Sequence, residues 1–264
     1  MPYRTEIVTP IGTPPKTLFA GGGRGEARTR NACLSALSSN ALSHLKPYLT
    51  ETALREGSIL WGATKSLSEV YFPNSGLISI VLPASDGAFI EVGSICSQAA
   101  GGAIFDAFDS HTQGVVQIGG RCICIGAQQL LCAAKENSEI ENLVNYCRDW
   151  ILMQAQQMAA CNALHAADQR FCRWLFQACE RMDTDTVAVT QEMIASLLGI
   201  RRTTVTLIAQ KFQTEGLIRY RRGKIEILDR AQLRAAACEC CKSLACQYWP
   251  PTRMQDALAS KWQS

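Results

Sequence analysis

From Ala127 to Met182 the chain runs fifty-six residues without a glycine or a proline, and this stretch limits what the remainder can be. Those two residues are the strongest helix breakers, so their absence over such a length predicts a long helical tract. Within it Ile140, Cys147, Gln154 and Cys161 recur every seven residues. Leu143, Trp150, Gln157 and Leu164 follow three positions behind each, with Val144, Ile151 and Met158 alongside. A seven-residue repeat suits a coiled-coil seam between two chains, and the same stripe also suits a helix lying on its own domain. Both packings stand at this point.

Upstream of the tract the pattern has a different period. Short apolar segments at 58–61, 69–72, 77–82, 88–92, 114–118 and 121–125 are separated by turn formers such as Asn74-Ser75-Gly76, Asp86-Gly87 and Gly119-Gly120. Six such segments predict antiparallel strands rolled into a small β-barrel or sandwich. Before them, Leu34, Leu37, Leu42, Leu45 and Leu49 predict one or two short helices. Residues 1–30 hold five glycines and four prolines with little apolar periodicity, which predicts a flexible arm.

Downstream lies the most informative segment. Thr190 can cap a helix whose apolar face is Ile194, Leu197 and Leu198, and Gly199 permits a sharp turn. A second helix follows, in which Val205, Ile208 and Phe212 form a stripe to pack across the first. Opposite that stripe stand Thr203, Thr206, Leu207, Gln210 and Thr214, with Arg202 on the flank. Arg, Thr and Gln suit the hydrogen-bonding edges of bases, and Leu207 suits a thymine methyl. Arg201 and Arg202 stand where a capping side chain is missing, so phosphate oxygens could meet the free backbone N–H groups there. Two short strands then surround Arg222-Gly223, with Arg219, Arg221, Arg222 and Lys224 on six positions that contain no acid. After a helix-turn-helix, this is where a basic wing lies along a phosphate backbone.

Charge distribution points the same way. Residues 185–234 carry nine Lys or Arg and five Asp or Glu, whereas the 184 residues before them carry 14 cations and 16 anions. One end of the chain is built for a polyanion. An apolar content of 47% excludes a wholly disordered chain, and no apolar run is long enough to span a bilayer. With no secretory signal pattern, the expectation is a cytoplasmic protein without a membrane partner.

The order of β-barrel, long helix and winged helix-turn-helix resembles the Crp/Fnr family of bacterial transcription regulators over about Asn31 to Cys241. The marks are Glu69-Val-Tyr-Phe-Pro-Asn-Ser-Gly76, Asp168-Gln-Arg-Phe-Cys-Arg-Trp-Leu175, and Thr190-Gln-Glu through Gly199-Ile-Arg-Arg-Thr-Thr-Val205 to Gly216-Leu-Ile-Arg-Tyr-Arg-Arg-Gly223. The resemblance implies an α+β fold with a cyclic-nucleotide-binding-like β-barrel at 31–136, a long dimerisation helix and hinge at 137–182, a winged helix-turn-helix at 183–240 and a tail at 241–264. It further implies a homodimer on a two-fold site in double-stranded DNA, RNA polymerase as a partner, and no enzymatic activity. Arg202, Thr203, Thr206, Leu207 and Gln210 are the candidate base readers. Arg201, Arg219, Arg221, Arg222 and Lys224 are the candidate phosphate contacts. The competing reading is a sensor domain with a C-terminal protein-interaction module, responsive to thiol redox state.

Departures from the family limit what can be carried over. Cyclic-AMP-binding members have an Arg-Ser/Thr-Ala segment for the cyclic phosphate, whereas here the stretch runs from Glu91 through Gly102 and then Gly114 to Gly119 without that arginine. Only Cys33 precedes Cys96, against the cysteine cluster of iron-sulfur members. No cofactor is predicted, although His44, His111 and His165 leave haem ligation open. Thr203 replaces an acidic residue of many relatives, so their operators do not transfer. Of the thirteen cysteines, Cys122 and Cys124 share one face of a strand, and Cys147 and Cys161 share the helical stripe, where a cross-chain disulfide would be a redox switch. Cys238, Cys240, Cys241 and Cys246 are crowded but have no neighbouring histidine, so no metal site is expected.

Overall fold

A computed structural model describes residues 29–62, 68–84, 88–103 and 111–241. The expected arm at 1–28, the Asp86-Gly87 turn, Cys246 and the tail from 242 lie outside the described residues. Two short helices, α1 (Ala32–Ser35) and α2 (Ser39–Leu45), lead into the strands β1 (Thr50–Leu54), β2 (Ile59–Trp61), β3 (Glu69–Pro73), β4 (Leu77–Pro83), β5 (Phe89–Ile95), β6 (Gly101–Gly102), β7 (Gln113–Ile118) and β8 (Gly120–Gly126). They form two antiparallel sheets of order β1-β8-β3-β6 and β2-β7-β4-β5. Of the expected barrel or sandwich, the structure has two facing sheets with the jelly-roll strand order, not closed by hydrogen bonds. Strand β1 escaped the sequence reading because Thr50-Glu51-Thr52-Ala53 lacks an apolar face, and β6 is only two glycines.

Each sheet is apolar on both faces. On β8, Cys122 and Cys124 point between the sheets with Trp61, Tyr71, Ile78 and Ile80, whereas Ile123 and Ile125 point outward to a core shared with the helices. On β4, Ile78 and Ile80 point inward, and Leu77 and Val81 point outward to a second core. Strands buried on both faces read as unbroken apolar runs, as 77–82 and 121–125 do.

The uninterrupted tract folds as three helices and not one, α3 (Ala127–Glu136), α4 (Ser138–Leu164) and α5 (Ala167–Met182). Asn137 ends α3 and caps α4 by accepting from the backbone of Glu139 at 2.9 Å. His165 and Ala166 are extended and form the joint between α4 and α5. Breaks of this kind use capping asparagine and extended backbone, so they need neither glycine nor proline.

Most of the seven-residue stripe of α4 faces its own protomer, although Leu164 at its end is 76% exposed. Ile140, Leu143, Val144 and Cys147 pack with α1, α2 and α3 against the outer face of β8, and Trp150 enters the space between the sheets. Gln154 is buried because it behaves as a strand edge: Nε2 donates to the Ser94 carbonyl at 3.0 Å, and Oε1 accepts from Ser94 N–H at 3.1 Å. Of the two packings open to this stripe, the structure uses the one on its own domain for Ile140 through Gln154. The described residues include no helix long and apolar enough to cross a membrane.

The C-terminal part comprises β9 (Thr186–Ala188), α6 (Gln191–Leu198), α7 (Arg202–Thr214), β10 (Ile218–Arg221), β11 (Lys224–Ile227) and α8 (Arg230–Ala236). Its three strands form one sheet of order β10-β11-β9. Helix α5 belongs with this part, since Phe171, Trp174, Leu175 and Ala178 share a core with Ile194, Val205, Phe212 and Leu233. That core is continuous with Leu77, Val81 and Cys96 on the outer face of the second sheet.

A carboxylate lies inside this junction. Glu91 of β5 accepts from the Ser79 hydroxyl at 2.7 Å and from the Trp174 indole N–H at 2.9 Å. Burial holds its carboxyl above the usual carboxylate range, against the opposing pull of Ser79, Arg181 and Arg173. A group raised in the folded state favours folding fully below its unfolded value, and that contribution is lost as pH rises through the raised one. Glu91→Ala leaves Ser79 and the Trp174 N–H without their acceptor, so urea unfolding should show a loss of about 1–3 kcal/mol. Glu91→Gln keeps one oxygen for Trp174 and an amide for Ser79, and should lose much less while flattening the stability decline above the ordinary carboxylate range.

Candidate nucleic-acid interface

Local sequence sets the helix pair. Thr190 Oγ1 accepts from Met193 N–H at 3.1 Å and starts α6. Gly199 ends it with φ 62°, a left-handed conformation that would strain a residue with a Cβ. Val205, Ile208, Ala209 and Phe212 are the buried face of α7, and Phe212 stacks on Phe171 of α5 with ring centroids 6.1 Å apart. The turn and both helices fall where the spacing predicts them.

The other face of α7 is open. Thr203 and Gln210 are exposed, and Leu207 is 67% exposed. An apolar side chain so placed on an otherwise polar face marks a contact surface better than a solvated one. Thr206 is half-buried, with its hydroxyl 2.7 Å from Gln191 Oε1 and 3.1 Å from the Arg202 carbonyl. Gln191, missed at the sequence level, thus orients Thr206 from the start of α6. Arg201 is the N-cap of α7 and makes no side-chain capping bond, as the absence of Ser, Asp or Asn there predicts. Arg202 sits 3.4 Å from Glu192, with both side chains exposed, so the pair is weak.

The wing is a two-residue hairpin. Arg222 and Gly223 have φ of 48° and 74°, the two successive positive values that a type I′ turn requires. Arg221 faces Lys224 across it, and Arg219 pairs with Glu226 at 2.8 Å. Arg201, Arg221, Arg222 and Lys224 are exposed and make no ion pair among the described residues. Gln213 holds the wing beside α7 by accepting from Tyr220 N–H at 3.0 Å. Strand β9, also missed, adds a third strand through Val187 opposite Ile225.

The cysteines separate into two kinds. Cys147 faces Cys33 across 3.8 Å inside its own protomer, so the proposed seam disulfide between Cys147 and Cys161 of two chains does not fit this geometry. A hydrogen bond from Cys147 and burial push the Cys33 thiol up, and burial does the same to Cys96, Cys122 and Cys124. Cys172 and Cys179 are pushed up to about 12 by burial. Such thiols are poor nucleophiles. Cys161 goes the other way, to about 5, chiefly through its hydrogen bond with Cys238 and with help from the Arg173 charge and His165.

Cys161, His165, Cys238 and Cys240 converge, all four ligand atoms lying within 4.8 Å of one another. This overturns the expectation that the C-terminal cysteines have no histidine. The signal was divided along the chain: Cys161 and His165 stand four apart on a helix end, and their partners follow more than seventy residues later. Of the other histidines, His44 bonds the Asn40 carbonyl of its own helix and His111 is exposed.

The sequence of residues 169–236 matches the family described as the Crp-like helix-turn-helix domain. No curated protein matches the chain by sequence. Among solved structures, a Eubacterium rectale protein assigned to the Crp/Fnr family of transcriptional regulators is similar at TM-score 0.63 and 20% identity, over 76% of this chain and 94% of its own. FixK2 of Bradyrhizobium japonicum aligns at TM-score 0.63 and 16% identity, over 72% of this chain and 98% of its own. CLP of Xanthomonas campestris, described as a c-di-GMP-responsive global regulator, aligns at 0.61 and 14% identity, over 73% and 100%. These identities speak for the fold, while the domain match speaks for the helix pair and wing. Together, the sequence match makes residues 169–236 a Crp-like helix-turn-helix domain, and the two-sheet, long-helix fold around it is shared with solved Crp/Fnr-family regulators.

Proposed function

We propose that the protein acts in the cytoplasm as a homodimer on a two-fold DNA site, with one α7 in each of two successive major grooves. The observation that carries this reading is the open face of α7, polar, free of acid and carrying an exposed Leu207. Arg202, Thr203, Thr206, Leu207 and Gln210 face base edges in this reading, and Arg201 with the wing cations Arg219, Arg221, Arg222 and Lys224 meets phosphates. Arg222 supports it further: a left-handed non-glycine residue costs about 1–2 kcal/mol, a strain more readily understood where the side chain makes a contact. Residues 31–136 sense the signal, 137–182 join the two parts and RNA polymerase is the further partner the resemblance implies.

Because the apolar stripe of α4 is used within the protomer, the dimer contact falls on its other side. Asp149, Leu152, Gln156, Ala159 and Ala163 are exposed at alternating spacings of three and four, and Leu152 is 58% exposed. That spacing with small residues lets two copies of α4 approach closely.

Binding to random duplex DNA should weaken steeply with salt, because each phosphate contact releases counterions. Removing Lys224 or Arg222 should lower the log–log salt slope by about one on every sequence. Changing Arg202 or Gln210 to Ala should alter the preferred bases in a selection from random sequence; if all four variants act alike, these assignments fail. Leu152→Glu should convert a dimer to a monomer in native mass spectrometry, and an unchanged dimer at micromolar concentration places the contact elsewhere.

A further inference from the structure

Three buried cysteines, Cys161, Cys238 and Cys240, form a small core cluster of their own with no hydrocarbon residue in it. The other buried thiols pack among hydrocarbon side chains as small apolar residues, whereas these three face one another and a histidine. The distances give a chemical reason. Cys161 Sγ and Cys238 Sγ are 3.6 Å apart, and Cys240 Sγ and His165 Nδ1 are 3.5 Å apart. A sulfur–sulfur separation of 3.6 Å is far beyond a disulfide bond of about 2.05 Å. Tetrahedral zinc with bonds of about 2.3 Å to sulfur and about 2.1 Å to nitrogen has edges of about 3.8 Å and about 3.6 Å. These two pairs are already close to those edges, and all four ligand atoms lie within 4.8 Å of one another.

We propose that Cys161, His165, Cys238 and Cys240 are the four ligands of a structural zinc-class metal site. Its Cys3His set is closed and tetrahedral, with soft donors that favour Zn(II) over Mg(II) or Ca(II). The surroundings are those of a ligated site. The other ring nitrogen of His165, Nε2, lies 2.9 Å from the Glu239 carboxylate, which fixes the ring with Nδ1 toward the sulfurs. Gln157 Nε2 donates to Cys240 Sγ at 2.9 Å, as it would to a metal-bound thiolate.

Charge agrees with the geometry. Arg173 is 1% exposed, and its guanidinium donates only to the neutral Gln177 and to Met158 sulfur, with Nε left without a partner. A buried cation without a carboxylate bonded to it is costly. Its charge acts on the buried Glu91 as well as on Cys161, Cys238 and Cys240. Zinc with three thiolates and a neutral imidazole carries one net negative charge, which matches Arg173.

The site joins distant parts of the chain. Cys161 ends α4, His165 is in the joint before α5, and Cys238 and Cys240 follow α8 after the whole winged helix-turn-helix. Metal here clips the end of the DNA-binding part to the joint it starts from. The inference is independent of the DNA assignments and stands or falls on metal alone.

The test uses the full chain, reduced with a phosphine and freed of metal under mild chelation. Zinc should return at one equivalent per chain by mass spectrometry of the metal, with no uptake of magnesium. Cobalt should give the strong red-region absorption and near-ultraviolet thiolate bands of tetrahedral sulfur ligation. His165→Ala and Cys240→Ser should abolish these bands, whereas Cys132→Ser and Cys241→Ser keep them. Glu239→Ala should weaken cobalt binding about tenfold with the spectrum unchanged. Should the ligand variants not fold, alkylation of the unaltered chain decides: zinc should protect Cys161, Cys238 and Cys240 and leave the rate at Cys132 as it was. Failure of the reduced, folded chain to bind zinc or cobalt overturns the proposal. So does metal that protects other cysteines, or a Cys161–Cys238 disulfide that forms in its place.

Discussion

A sheet with two apolar faces needs two covers, and the second sheet of this protein has the DNA-binding part as one of them. Leu77 and Val81 of β4 belong to the same core as Phe171 and Trp174 of α5 and Ile194 of α6. Burying side chains of this size is worth about 1.5–3 kcal/mol each, so the contact is a main source of stability and not a surface accident. The two-sheet half and the helix-turn-helix half consequently share a core. Any event that alters the position of β4 or β5 is felt by the helices packed upon them.

Polar groups set inside that contact give it direction. Glu91 binds Ser79 on its own sheet and Trp174 on α5, and Gln154 of α4 bonds both backbone groups of Ser94 on β5. Arg181 of α5 also bonds the Ser94 hydroxyl. Apolar surfaces can slide past one another at little cost, but a hydrogen-bonded set is satisfied in one register only. Helices α4 and α5 are thereby keyed to the same strand, β5, from two sides.

Much of this was legible in the sequence where a single local rule decides. The cap at Thr190, the turn at Gly199, the stripe of Val205, Ile208 and Phe212 and the hairpin at Arg222-Gly223 each depend on neighbours a few residues away. The exposed face of α7 followed from the same helical arithmetic. Less legible was anything settled across the chain. A seven-residue stripe cannot say whether its partner is another chain or its own sheet, and the place of Gln154 in it is explained only by Ser94 opposite. Strand β1 has no apolar face to announce it, and its pairing with β8 makes it a strand. The thiol and imidazole groups escaped for the same reason, since Cys161 and Cys238 are 77 residues apart in sequence and 3.6 Å apart in space.

That closeness has a mechanical consequence. The polypeptide leaves the end of α4 at His165, builds α5, the helix pair, the wing and α8, and comes back to the same spot at Cys238. A module whose two ends emerge together is hung from a single pivot. Turning it about that point keeps the Cys161–Cys238 contact beside the α4–α5 joint, while translating it along the sheet separates that contact. Rotation about the α4–α5 joint would therefore carry α7 with it, and the packing on β4 and β5 is what such a turn has to break.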